Sequence, residues 1–412
     1  MTGEDQRSTG QAAARVGLVG MYSSANLGDT AIQTAVMSAL RARRPNVEFV
    51  GVCTDPADAV RTFGLTALHV SGFGHAIDPS SLDLVTGDRG PDLWERAPLP
   101  LRLTAAAVRI DRHMRGMDML LVSGSGQIDD FWGGPWEQPF RLLAWASAAR
   151  RQGKPVAFFG VGVDQLLTWL GTRLATAALS RAQLRVLRDP GSLHALRQTG
   201  FAAECDVCPD PAFHLADTGG VAVPRAEAAF AVVSPIARNA WPGNLATSYE
   251  RYLTALAAAA DHLQQCGLEV RFVCSQTRMD PPIVPLIQNA MRGNAAATRT
   301  ITPTSVDHYL REVRGADIVV ASRLHALILA LVVGTPVVAV SYARKVAQQM
   351  ADAGLSNFCL NLDTMHHDAL LGRVTMVLGH QDEIRSQVAA TSARLRGELD
   401  VRFDRLAAMI PG

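Results

Sequence analysis

A chain of 412 residues is too long for one ordinary core, since single domains usually run to about 100–200 residues, so two domains are expected. Apolar residues make up 48% and charged ones 19%, a balance that fills cores along the whole chain and excludes disorder as its main state. Lys and Arg total 39 against 38 Asp and Glu, which excludes a global field for holding nucleic acid and leaves any anion site to be local.

Residues 1–14 are polar and small, with Glu4 and Asp5 near the start, and read as a loose N-terminal tail rather than a signal peptide. Apolar runs such as Ala326 to Val333 fall well short of the ~20 residues that span a bilayer, so no transmembrane helix is expected. The six cysteines are scattered without a secretory signal, which argues against a disulfide framework and for the cytoplasm.

Arg15 to Gly20 is a short apolar segment followed by a stretch in which Ile32, Val36 and Leu40 recur at helical spacing, predicting strand, turn and helix. Val47 to Val52, Asp118 to Val122, Val156 to Gly160 and Leu184 to Leu187 read as further strands, with helices over Pro139–Gln152 and Leu170–Ala182. Between Gly72 and Gly116 the pattern blurs, except for a helix near Leu103–Met114. Leu103, Ala106, Ile110 and Met114 line one of its faces, leaving Arg102, Arg109, Arg112 and Arg115 towards solvent. A packed surface helix is the preferred reading over a basic helix that touches a membrane or grips an acceptor.

Around Asp217 to Arg225 the composition shifts to Gly, Val and Pro, and the alternation restarts with a strand at Ala229–Ser234. Helix Ser248–Cys266, strand Glu269–Cys274, helix Ile283–Gly293 and a strand near Thr298–Ile301 follow. Helix Val306–Arg314, strand Asp317–Ala321, helix Leu324–Val333 and strand Pro336–Val340 complete the series. Strands alternating with helices predict an α/β fold of two Rossmann-like domains, 15–222 and 223–412, facing a central cleft. The C-terminal segment is rich in helix formers, and its docking place is open.

Several strand ends carry polar residues suited to anions. The turn Asn26-Leu27-Gly28-Asp29-Thr30 enters a helix, where free N–H groups and the helix dipole favour a bound anion; the alternative is that Asn26 and Asp29 cap the helix, a reading of equal weight for Asp29. It matches neither the Walker nor the dinucleotide glycine pattern. Ser123-Gly124-Ser125-Gly126, with Asp130 beyond it, allows close backbone approach, as would any tight turn. Arg188 at a strand end suits a carboxylate or phosphate, or else an ion pair with Asp189 or Asp210. The strongest constellation is Ser322-Arg323-Leu324-His325, where two costly polar side chains open an otherwise apolar helix, with Lys345 following the next strand. Cys205 and Cys208 lack a second ligand pair, so no metal site is expected.

Taken together, NLGDTAI (26–32), SGSGQIDD (123–130), GVGVDQL (160–166), RDPGS (188–192), DPAF (210–213), SRLHALILA (322–330) and GTPVVAVSYARKV (334–346) resemble the polysaccharide pyruvyl transferase family. The likeness runs from about Val16 to Leu360 and is most specific in the last two motifs. It departs from the family pattern at Ser123 to Gly126, where members carry three or four glycines, and at Thr30 and Ala343. The resemblance implies a GT-B-like fold and transfer of a pyruvyl unit from phosphoenolpyruvate onto a sugar-containing acceptor as a ketal, with phosphate released. Phosphoenolpyruvate is then a co-substrate, with no metal or organic cofactor. On that reading His325 and Arg323 are catalytic, and Arg188, Arg323, His325, Lys345 and Ser322 hold the donor. Asn26, Gly28, Asp29, Gly124, Ser125, Gly126 and Asp130 form acceptor or anion loops, with the N-terminal domain on the acceptor side. Two rivals are a glycosyltransferase using a nucleotide sugar and a catalytically silent ligand-binding homologue. Acceptor identity and oligomeric state are open, as is peripheral membrane contact with a lipid-linked acceptor.

Overall fold

Strands built almost wholly from Val, Leu, Ile, Phe and Ala are stable only when both faces are covered, which in α/β proteins means parallel pairing beneath helices. The structure, a computed structural model, describes residues 13–20, 23–84, 97–124, 126–131, 133–163, 166–215, 229–238 and 246–412. Within them the first sheet runs β1 (Arg15–Val19), β2 (Glu48–Cys53), β3 (Ala67–His69), β4 (Met119–Ser123), β5 (Val156–Val161), β6 (Leu184–Leu187) and β7 (Asp206–Val207). Its spatial order is β3-β2-β1-β4-β5-β6-β7, all parallel. The second sheet runs β8 (Phe230–Ser234), β9 (Glu269–Val273), β10 (Arg299–Ile301), β11 (Ile318–Ala321), β12 (Val337–Ser341) and β13 (Cys359–Asn361). Its order, β10-β9-β8-β11-β12-β13, repeats the same 3-2-1-4-5-6 winding, again wholly parallel. The expected pair of Rossmann-like α/β sheets is therefore present.

The short edge strands β3, β7 and β13 and the helix Pro56–Phe63 are additions to the sequence reading. Runs of two or three residues are too brief to show a period. The second helix of the sequence reading begins one residue earlier, at Gln138, and the arginine-bearing helix spans Leu99–Met114.

The chain divides into two units, but not at one point. The first contains residues up to Gly20, Met37–Val207 and Arg402–Gly412; the second contains Met21–Val36 and Cys208–Val401. The turn carrying Asn26 to Asp29 is thus grouped with the C-terminal sheet, unlike the simple division at 222/223, which itself lies outside the described residues, as do tail residues 1–12. Covalent order misleads here because helix Leu27–Arg43 contributes its first half to one unit and its second half to the other. Helix Gln381–Ala407 likewise ends in the first unit. Among the described residues no helix is long and apolar enough to cross a membrane.

The C-terminal turn of that last helix is anchored in the first unit by apolar and charged contacts together. Phe403 stacks on Phe159 of β5 with centroids 4.7 Å apart, and the Arg43 guanidinium lies over the Phe403 ring. Asp404 pairs with Arg43 at 2.6 Å and Arg405 with Asp206 at 2.9 Å. Both phenylalanines are fully buried. Phe403→Ala is expected to lower the unfolding free energy by about 3–5 kcal/mol, measured by urea denaturation, whereas replacing the exposed Asp404 by Asn should change it by under about 1 kcal/mol.

Candidate active site

The helix Leu324–Val332 is the most apolar of the second unit, and every residue in it except His325 is buried. Its N-terminus has no side-chain cap, because Arg323 occupies the capping position with an extended backbone and makes no capping bond. The N–H groups of the first turn therefore point out of the helix without an intrahelical partner. The preceding strand β11 is held to β8 and β12, so this turn is delivered at the carboxyl edge of the second sheet, where such sheets bind ligands.

Arg323 does not extend freely. Its Nε donates to Asp280 Oδ2 at 2.9 Å and its Nη2 to Asp280 Oδ1 at 2.7 Å, a two-pronged fork onto a carboxylate with 0% exposure. The Ala237 N–H also donates to Oδ1, at 2.9 Å. Burial works against the guanidinium charge, but the bonds to Asp280 outweigh it and hold the group above its ordinary range. Half of the expected donor clamp is thus committed to a buried partner. Asp280, in the run Met279-Asp280-Pro281-Pro282, gave no distinguishing signal in the sequence, because an aspartate before proline reads as an ordinary turn.

His325 keeps a largely buried ring whose Nε2 makes no hydrogen bond and sits 3.7 Å from Asp210 Oδ2. That is an ion-pair distance, too long for a hydrogen bond. Asp210 uses Oδ1 to accept from the Ala212 N–H at 3.0 Å, capping the short turn Pro211–His214. One carboxylate therefore shapes a turn and faces the imidazole. The sequence offered it only as a possible partner of Arg188.

The other edge of the ring lies against backbone. A Cβ at Gly28 would fall 2.0 Å from His325 Nδ1 and 2.1 Å from its Cγ, so only glycine permits this approach. Asn26 Nδ2 donates to Asp29 Oδ2 at 2.6 Å, and the Gly28 N–H donates to Asn26 Oδ1 at 3.3 Å. Asn26 and Asp29 thus brace each other within the turn, and Asn26 has the capping role weighed for it. The turn is in turn stitched to the loop after β9: the Leu27 N–H donates to Ser275 O and the Thr277 N–H to Ala25 O. Asn26, Gly28, Asp29, Asp210, Asp280, Arg323 and His325 come from four separate stretches of sequence and all belong to the second unit.

Other expected residues stand apart from this cluster. Ser322 is fully buried, and its Oγ accepts from the Tyr252 hydroxyl at 2.8 Å, so its place is structural rather than on a donor. Tyr252 accepts in turn from the Ile236 N–H, and burial drives its phenol well above the ordinary range. Lys345 is half-buried in the first turn of helix Arg344–Asp352 in the second unit. Arg188 belongs to the first unit, with Nε 3.6 Å from Asp189 Oδ2, and Asp189 caps helix Pro190–Gln198.

Asp130 is likewise in the first unit, accepting from the Leu167 and Thr168 N–H groups and from the Thr168 hydroxyl. Burial raises its carboxyl, but these bonds prevail and hold it below the usual carboxylate range. A carboxylate so committed braces the loop after β5. Gly124, with φ of 65°, donates to Phe159 O, and Gly126 is half-buried nearby; Ser125 lies outside the described residues.

Removing Arg323 strands the Asp280 charge. Arg323→Ala is expected to cost about 3–5 kcal/mol of stability, read by chemical denaturation, in place of the mild effect expected of a free clamp. The double variant Arg323→Ala/Asp280→Ala should lose less than the sum of the two single variants, because each single leaves an unmatched buried group.

Comparison with known proteins places this geometry. The chain is 20% identical over 417 residues to the amylovoran biosynthesis protein AmsJ of Erwinia amylovora, an alignment covering 90% of this chain and 94% of that one. Its fold resembles a putative UDP-N-acetylglucosamine 2-epimerase from Listeria monocytogenes, with a TM-score of 0.58, 12% identity, and 96% and 98% of the two chains covered. It also resembles the UDP-GlcNAc 2-epimerase from Neisseria meningitidis bound to UDP-GlcNAc, with a TM-score of 0.57, 12% identity, and 95% and 99% covered. At such identities the likeness concerns the fold alone, an α/β, GT-B-like pair of Rossmann-like units. The polysaccharide pyruvyl transferase family model matches residues 26–344, a span that takes in both the Gly28 turn and the Arg323-x-His325 helix start, and the chain belongs to that family.

Proposed function

We propose that the protein transfers the pyruvyl unit of phosphoenolpyruvate to two hydroxyls of a sugar-containing acceptor, forming a ketal and releasing phosphate. The observation that carries this reading is His325: an imidazole fixed on one edge by Gly28, with Nε2 free of hydrogen bonds and a carboxylate 3.7 Å away as counter-charge for its protonated form. His325 gives its proton to the methylene carbon of the donor, and the adjacent carbon becomes electrophilic. One acceptor hydroxyl adds there, its proton returning to the imidazole, and the C–O bond to phosphate breaks. The second hydroxyl adds to the same carbon, and its proton leaves with phosphate.

A carboxylate and a phosphate on one small donor need several positive partners. With its fork on Asp280, Arg323 offers its remaining N–H groups and orients the turn. The uncapped helix N-terminus beginning at Leu324 shares the anion-binding load, and Lys345 adds a point charge. The family and the membership of AmsJ in amylovoran biosynthesis support carbohydrate modification as the setting. No metal or organic cofactor is required by these steps.

His325→Ala should fold, still be stabilised by phosphoenolpyruvate in a thermal-shift titration, and lose about 10²–10⁴-fold in turnover. Gly28→Ala should show a similar loss of turnover without loss of helix, because a methyl there displaces the ring. Turnover is followed as phosphate release over an acceptor panel, with products weighed for the added pyruvyl group. Wild-type turnover by His325→Ala, or stabilisation by a nucleoside diphosphate but not by phosphoenolpyruvate, would overturn the assignment.

A further inference from the structure

Helix Leu99–Met114 and the loop that follows β3 line an open pocket of about 430 Å³ in the first unit, bounded by Gly72, Gly74, His75, Arg109, Arg112 and His113. Two guanidiniums and two imidazoles face it, and none of these described lining residues is acidic. The pocket is built rather than incidental. Gly72, with φ of 77°, lies so close to the helix that a Cβ would fall 2.8 Å from Ile110 Cγ1 and 3.1 Å from the Ile110 backbone nitrogen. His113 Nε2 lies 3.3 Å from the Gly72 carbonyl. The Arg109 guanidinium is held 4.8 Å from the Phe73 ring centroid. Trp145 Nε1 donates to Val70 O at 2.8 Å, fixing the loop from below. Asp111, on the same helix, pairs with Arg151 at 2.9 Å and lies 3.8 Å from Arg115.

We propose that this cavity is a binding site for a phosphate or diphosphate group, gripped by Arg109 and Arg112 with His75 and His113 as further donors. Concentrated like charge around a concave surface of this size is unfavourable when empty and is relieved by a compact polyanion, to which planar guanidinium forks are matched. Burial lowers the His113 imidazole below its ordinary range; the bond to the Gly72 carbonyl opposes this, and the positive groups of Arg112, Arg109 and His75 reinforce it. A bound anion cancels those like charges, so ligand uptake and protonation of His113 are coupled. The same helix exposes Leu101 and Val108, so the phosphate belongs either to a soluble molecule or to a lipid headgroup. The site stands independently of the pyruvyl-transfer reading.

The full-length protein is titrated with inorganic pyrophosphate by calorimetry at low ionic strength, and sedimented with phosphatidylcholine vesicles with and without phosphatidic acid. Wild type should bind pyrophosphate, and both the charge reversal Arg112→Glu and the double variant Arg109→Ala/Arg112→Ala should weaken that binding by about tenfold or more. The His113 ring resonances should titrate at higher pH in the presence of pyrophosphate. Sedimentation with phosphatidic acid vesicles that Arg112→Glu abolishes assigns the site to a lipid headgroup; pyrophosphate binding without it assigns the site to a soluble phosphate. Equal pyrophosphate affinity in wild type and Arg112→Glu, or no binding of either probe by a folded wild type, overturns the proposal.

Discussion

A carboxylate that keeps no contact with water must be matched by a charge or give up its own, and Asp280 is matched by Arg323 through two short bonds. The pair joins the loop after β9 to the turn after β11, the two strands that flank β8 in the second sheet. Because the fork fixes both position and angle, it also sets the start of helix Leu324–Val332 and the direction of the side chain two residues on. Without it the imidazole of His325 would hang on a helix end that has no cap of its own. Arg323 thus contributes first as a positioning group, and whatever it offers a ligand comes from the donors that Asp280 leaves over.

Steric constraint completes what charge begins. Gly28 brings backbone against the imidazole, and Asn26 and Asp29 brace the turn that carries it. The turn is tied to the loop after β9 by backbone bonds and a bridge between Asn26 and Gln276. A residue near the start of the chain and one three hundred positions later therefore behave as one rigid arrangement within the second unit. On the proposed reading, that rigidity is what lets a single imidazole deliver a proton to carbon, a transfer that tolerates little misplacement.

The fold was legible because its strands are apolar on both faces: β1, β2, β4, β5, β6, β8, β9, β11 and β12 all show as short apolar runs at regular intervals. The grouping of the Gly28 turn with the distant sheet was not legible, since it depends on where helix Leu27–Arg43 crosses from one unit to the other. At the site, Arg323 and His325 stood out as costly residues on an apolar helix, and Gly28 as a glycine at a helix entry. Their partners did not stand out. Asp280 and Asp210 both precede proline, and in sequence that marks only a turn. Ser322 was drawn into the expected site by adjacency alone, although β11 ends so that its hydroxyl faces the buried Tyr252.

The contrast between Asp130 and Asp210 shows how local geometry separates a carboxylate spent on a loop from one that also faces an imidazole. Both are buried aspartates in loops beyond strands, and both accept backbone N–H bonds. Asp130 spends both oxygens on the loop after β5, where the adjacent residues Leu167 and Thr168 supply the donors. Asp210 spends one oxygen on its own turn and presents the other to the His325 imidazole, 115 positions on in the sequence and 3.7 Å away within the second unit. The departure from the family pattern in the run Ser123 to Gly126 falls where β4 ends, in the first unit. Changes there leave the Gly28, Asp210 and His325 arrangement untouched, and the departures at Thr30 and Ala343, which fall in the second unit, replace none of those three residues, so on the proposed reading the departures bear on the acceptor and not on the residues that handle the proton.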